Sequence, residues 1–251
     1  MDDPGADAMS TAMPSFPSIP VPPTDGRVPV ALFDLDHTLL PLDSDYEWGV
    51  FTTRIGWTDP VAFGQRNDAF FADYQAGRLD VHAYVRFATE AVRVRGPHAA
   101  AEAHARFMAE VIEPALRPEA RALVAAHRAR GDRVAIVTAT NEFVTRPIAQ
   151  AFGVDDLIAV ELERDASGWI TGDIRGVPSF REGKVERVTQ WLVAQGLDWA
   201  RAHVTFYSDS TNDLPLLERA DVPVATNPGE GLRAIARARG WRILDLFGSH
   251  P

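Results

Sequence analysis

Asp34 and Asp36 stand two positions apart where a short apolar run ends, with Thr38 two further on (DLDHT). Asp209, Asn212 and Asp213 follow another such run (SDSTND), Thr138 closes a third (RVAIVT), and Lys184 stands before a helical pattern (EGK). Carboxylates brought to one place repel one another and cannot all ionise without a cation. Oxygen ligands without His or Cys suit Mg²⁺, which takes one or two carboxylates together with substrate phosphate and water. A phosphoryl group at such an ion gives the other two groups a use. Lys is a compact charge for a phosphate oxygen, and Thr is a neutral donor.

Lys184 is also the sole lysine of the chain; every other basic residue among the 25 Lys+Arg is Arg. Arg replaces Lys on a solvated surface, but not where a compact ammonium must enter a tight site. The 251 residues are 46% hydrophobic and 24% charged, as in an ordinary globular protein. A net charge of -10 argues against nucleic-acid binding through a basic surface. The absence of Cys removes disulfides, thiolate catalysis, zinc–thiolate sites and iron–sulfur clusters. No apolar stretch approaches the roughly 20 residues that span a bilayer, so no membrane partner is expected. Residues 1–27 are Pro-rich and acidic, unlike a secretory signal, and read as a disordered tail on a cytoplasmic protein.

The elements that must position these groups alternate. Continuous apolar runs at 28–35, 133–138 and 203–207 predict strands buried on both faces, with weaker candidates at 222–225 and 241–246. Helical patterns lie at 118–130, 141–152, 183–195, 213–220 and 229–239. Residues 158–174 alternate about a turn at 165–168 and predict a hairpin. The stretch 42–113 has no strand-like run, is rich in aromatics, and is far too long for a simple connection. It predicts a helical insertion over the end of the sheet. The expected fold is α/β, a Rossmann-like, doubly wound, mostly parallel sheet with an inserted α-helical cap. The core would comprise residues 28–42 and 114–251, and the cap 43–113. In such sheets ligands sit beyond the carboxyl ends of the strands, where the acidic clusters fall.

DLDHT, Thr138, Lys184 and SDSTND, in this order, resemble the haloacid dehalogenase superfamily of phosphohydrolases, in the branch like phosphoserine phosphatase. The resemblance covers the chain from Val28 onward and implies a Mg²⁺-dependent phosphomonoesterase acting on a small phosphorylated metabolite. It implies that Asp34 attacks phosphorus to form an aspartyl-phosphate, while Asp36 protonates the leaving oxygen and then activates water. It implies Mg²⁺ on Asp34, the Asp36 carbonyl and Asp209, with Asp213 in support, and phosphoryl oxygens on Thr138 and Lys184. Asn212 would position the site or reach the substrate.

The cap departs from that pattern. Asp43 stands where phosphoserine phosphatases carry a Glu for the substrate amine. Their carboxylate-binding Arg aligns with Ala88 here, and Arg86 stands nearby. The second motif is Thr-Ala-Thr rather than Ser-Gly-Gly, and Ser208 replaces a Gly. The related branch includes enzymes acting on histidinol phosphate. An acid at Asp43 or Asp45 would then meet an amine, and Tyr46, Trp48 or Phe87 would stack on an imidazole. The same intermediate would also serve a phosphotransferase. A chain that only binds a phosphorylated ligand would be expected to have lost Asp34, Asp36, Lys184 or Asp209, and all four are present.

Overall fold

The run Val28–Phe33 forms β1, and its side chains divide strictly by parity. Val30 and Leu32 enter one core with Val188, Leu192 and Phe206, while Ala31 and Phe33 enter another with Ile136, Ile148 and Tyr207. A strand covered on both faces has no polar side to show, which explains its unbroken apolar sequence. This computed structural model describes residues 18–248.

In chain order, α1 (Ser44–Arg54), α2 (Pro60–Gln75), α3 (Val81–Ala88) and α4 (Glu90–Phe107) follow β1. A π-helical turn and the short α5 (Glu113–Ala115) lead into α6 (Pro118–Arg130). Then come β2 (Arg133–Asn141), α7 (Glu142–Ala151), β3 (Asp156–Val160), β4 (Leu162–Arg164), β5 (Ile170–Ile174) and α8 (Glu182–Ala194). The chain closes with β6 (Ala202–Ser208), α9 (Leu214–Arg219), β7 (Val222–Thr226), α10 (Glu230–Arg239) and β8 (Arg242–Leu244). Six strands form one parallel sheet in the order β3-β2-β1-β6-β7-β8. Connections run outward from β1 on one side and from β6 on the other. The switch point therefore lies between these two strands, where a crevice opens at their carboxyl ends.

Helices α1 to α4 occupy the insertion. α1, α2 and α3 each start at an aspartate, Asp43, Asp59 and Asp80, whose side chain accepts from two backbone N–H groups of the first turn. α4 bends at Gly96, where φ of 78° precedes Pro97; the ring disfavours a helical residue before it, and glycine takes the left-handed alternative. Part of the insertion belongs to the main core. Trp48 packs against Phe51, Phe107, His104 and Phe143. Phe63, Phe70 and Phe87 stack separately between α2 and α3.

Two expectations change. The predicted hairpin is shorter: residues 156–160 pair in parallel with β2, and only β4 and β5 form the antiparallel ribbon. Local alternation did not reveal that the first arm is completed by a strand distant in sequence. Of the predicted tail, residues 1–17 lie outside the described residues, as do 249–251. Residues 18–27 are docked: Ile19 packs against the core, and the Ser18 and Pro20 carbonyls accept from Arg242 and Arg130. No helix among the described residues is long and apolar enough to cross a membrane.

Candidate active site

Asp34 continues β1 beyond Phe33, and its N–H donates to the Tyr207 carbonyl at 2.9 Å. The chain then turns so tightly that the N–H groups of Thr38, Leu39 and Leu40 all point to the Leu35 carbonyl. Asn227 braces this turn, donating to the His37 and Thr38 carbonyls. His37 takes the left-handed conformation on the exposed side.

Three carboxylates, Asp34, Asp209 and Asp213, gather around one ammonium here. Lys184 Nζ, in the first turn of α8, donates to Asp34 Oδ1 and to Asp213 Oδ2, each at 2.8 Å. It is 2% exposed. Burial opposes its charge, but Asp213 and Asp34 outweigh this and hold the ammonium protonated far above the usual lysine range. The entry to α8 requires Gly183: a Cβ there would lie 2.1 Å from the Pro178 carbonyl oxygen and push Lys184 out of place. Asp213 keeps a second donor, Ser208 Oγ at 2.7 Å, and its carboxyl is raised to about 6 by burial, with Lys184 opposing. Ser208, where the family usually has Gly, thus adds a bond to this carboxylate.

Asp209 has no such partner. Its N–H donates to Thr38 Oγ1 at 3.0 Å, and that hydroxyl in turn lies 3.3 Å from Asp34 Oδ2 and 3.2 Å from Asp209 Oδ1. A hydroxyl has one proton, so it satisfies one carboxylate at a time. Burial, then the charges of Asp34 and Asp213, push the Asp209 carboxyl well above its ordinary value. Asp34, Asp209 and Asp213 share a single cation.

Asp36 faces the other way. Its Oδ1 accepts from Ser44 N at 2.7 Å, and its Oδ2 accepts from Thr140 Oγ1 at 2.9 Å and Thr138 Oγ1 at 3.4 Å. Burial and then Asp43 raise its carboxyl, while bonds from Ser44 and Thr140 oppose the rise. Thr140 is the site residue that the sequence reading missed. It is two residues beyond Thr138 on β2 and so on the same face, a signal present in Thr-Ala-Thr itself. Asn212 joins the insertion to the core: its Oδ1 accepts from Arg181 Nε and its Nδ2 donates to the Tyr74 carbonyl, both at 3.3 Å.

The two predicted specificity residues are not placed as expected. Arg86 is exposed on the outer face of α3, where it pairs with Asp173 of β5 at 2.7 Å. It is not in the crevice. Asp43 lies near Asp36, but its Oδ1 caps α1 through Asp45 N and Tyr46 N. Trp48 and Phe87 are bound up in the two aromatic clusters described above. Tyr46 does line the cavity beside the site, with Asp45, Tyr84 and Thr140.

A family model of haloacid dehalogenase-like hydrolases matches residues 31–218. A histidinol-phosphatase of Neisseria meningitidis serogroup C (strain 8013) is 39% identical over 218 residues, covering 86% of this chain and 98% of that protein. A crystal structure of a protein with unknown function from Bordetella pertussis Tohama I matches with a TM-score of 0.83 at 50% identity, over 88% of this chain and 100% of that one. A substrate-bound phosphoserine phosphatase shares the fold, with a TM-score of 0.62 at 16% identity over 87% and 93% of the two chains. The chain belongs to the haloacid dehalogenase-like hydrolase family, in the branch that resembles phosphoserine phosphatase, and is a phosphatase.

Proposed function

We propose that the protein is a Mg²⁺-dependent phosphomonoesterase for a small metabolite, working through a phosphorylated Asp34. The observation that carries this reading is the division of labour between two aspartates two positions apart. Asp34 is gripped by Lys184, while Asp36 is held by the two threonines of β2 with a raised pKa.

In this reading the Asp34 carboxylate attacks phosphorus and the alcohol oxygen leaves. Asp36, whose carboxyl burial raises above its ordinary value, gives a proton to that oxygen, then takes one from the water that cleaves the acyl-phosphate. Lys184 and Thr138 hold phosphoryl oxygens and offset their charge during transfer. Asn212 ties α2 of the insertion to Arg181 at the start of α8, beside the catalytic groups.

The donor set fits a divalent cation. Three buried carboxylates against one ammonium leave an excess of negative charge around Thr38, and every donor is an oxygen. Asp34, Asp209 and the Asp36 carbonyl would hold Mg²⁺, with Asp213 steadying the arrangement through Lys184. When bound, the ion supplies charge neutralisation between the attacking carboxylate and the phosphate.

The test is phosphate release from a panel of small phosphomonoesters, among them histidinol phosphate and phosphoserine, with and without Mg²⁺. Turnover that requires Mg²⁺ and vanishes in Asp34→Asn supports the reading. Silence across the panel from folded protein, or turnover surviving Asp34→Asn, overturns it. Rate gains on adding alcohols as acceptors would instead mark a phosphotransferase.

A further inference from the structure

Beside Asp36 and behind Thr140, a cavity of about 50 Å³ lies between α1, α2, α3 and the loop before α8. Its walls are aromatic, with Tyr46, Phe70, Phe71, Tyr74, Tyr84 and Phe180 around it. Among the described residues that line it, Asp45 is the one with a charged side chain, and none is Lys, Arg or His.

Asp45 is 7% exposed. Its Oδ1 accepts from Asn141 Nδ2 at 3.3 Å, and the Tyr84 hydroxyl also hydrogen-bonds to it. Both donors are neutral. A carboxylate buried among rings with only neutral donors is costly unless a cation joins it. Burial, then Asp43, raise the Asp45 carboxyl to about 7. A protonated nitrogen entering the cavity would meet an unpaired carboxylate and the faces of several rings, which attract cations in their own right. A carboxylate entering the same space would meet Asp45 and no cation, because Arg86 is committed to Asp173 outside.

Resting on the phosphomonoesterase reading, we propose that Asp45 recognises a basic nitrogen of the substrate's alcohol portion. The preferred substrates are then phosphate esters of basic alcohols, bearing an amine or an azole, that carry no carboxylate. Asp45 takes the place that the sequence pattern assigned to Asp43. The cap bond at Asp43 explains the exchange: the helix start consumes one oxygen of Asp43 and turns Asp45, in the first turn, into the cavity wall.

The test compares ester pairs on the full-length protein with Mg²⁺. Histidinol phosphate and 3-phenylpropyl phosphate share chain length and a ring but differ in basic nitrogen. Phosphoethanolamine and phosphoserine differ by one carboxylate. The wild type should favour the first member of each pair by about 100-fold in kcat/KM, the scale of one buried ion pair. Asp45→Asn should erase most of the first preference, chiefly through KM, and Asp45→Glu should retain more of it. If Asp45→Asn does not fold, Tyr84→Phe reads the same ratio, with an expected drop of about fivefold.

A wild type without the first preference, or a preference that survives in Asp45→Asn, overturns the role of Asp45. Phosphoserine turned over as well as phosphoethanolamine overturns the exclusion of carboxylates. Failure to release phosphate from every ester, 3-phenylpropyl phosphate included, is the separate failure of the phosphomonoesterase reading.

Discussion

Two buried charged clusters hang from neighbouring residues of β6, and they are built on opposite principles. Behind Tyr207, His127 Nδ1 meets Asp132 Oδ2 at 2.5 Å, Tyr207 OH meets His127 Nε2 at 2.8 Å, and Arg130 bonds both oxygens of Asp132. The charges cancel, and both ring nitrogens have a partner. At Ser208 and Asp209 the other cluster sets three carboxylates against Lys184 alone. A polar group that only holds the fold can be satisfied within the fold. A group kept for a ligand is left short of what the ligand brings.

The clusters also answer pH in opposite senses. Burial and then Asp132 act in opposite directions on His127, and burial wins, so its pKa lies below the ordinary 6.5. Burial raises Asp132, but bonds from Arg130 and His127 outweigh it, so its pKa lies below 3.8. Both depressed values give stability that is complete above the unfolded pKa and lost as pH falls. Asp36, Asp45 and Asp209 are raised, so the folded state binds protons more readily than the unfolded one. Their strain appears as pH climbs from about 3.8 toward the raised values.

The largest expected effect breaks the site without touching its counterpart. Asp34→Asn should lower phosphate release by about 10⁴-fold, measured by kcat, while relieving crowding of charge and leaving the melting temperature at or above that of the wild type. Next, Lys184→Met should cost about 3 kcal/mol of unfolding free energy at pH 8, because it strands two buried carboxylates. Lys184→Arg should not restore activity, since a planar fork cannot take the place of a point charge between two oxygens 2.8 Å away.

Asp132→Asn should cost about 2 kcal/mol at pH 7 and leave KM unchanged, a pairing that denaturant melts and kinetics together would check. It should also deepen the loss of stability as pH falls below 6.5, because Asp132 holds the His127 pKa up and its removal lets burial depress that pKa further. The smallest effect sharpens the contrast. Asp45→Asn should stabilise the unliganded protein by about 1–2 kcal/mol at pH 8, with the gain fading near pH 4. A destabilised Asp45→Asn would mean that Asp45 belongs with the balanced cluster.

What could be read from the sequence follows the range of the forces involved. Strand ends announce themselves locally, so Asp34, Asp36, Thr138 and Asp209 are legible as one group in the sequence. Lys184 was legible through its uniqueness. Thr140 is not legible in the same way, because the apolar run ends at Thr138 whereas β2 continues to Asn141. The choice between Asp43 and Asp45 depends on which aspartate caps α1. Arg86 depends on Asp173, 87 residues away, which fixes the face that α3 turns outward. β3 resembles a hairpin arm in sequence because its partner, β2, lies outside the local pattern.

The lone lysine has a consequence for how the molecule can be watched. Among side chains, acylating reagents aimed at amines find a single ε-amine, and it sits inside the crevice between two carboxylates. Labelling at Nζ would therefore report, without background from other side chains, how often that crevice opens and the ammonium loses its proton. A phosphate analogue that occupies the crevice against Lys184 should slow the labelling, so the modification rate reads occupancy of the site.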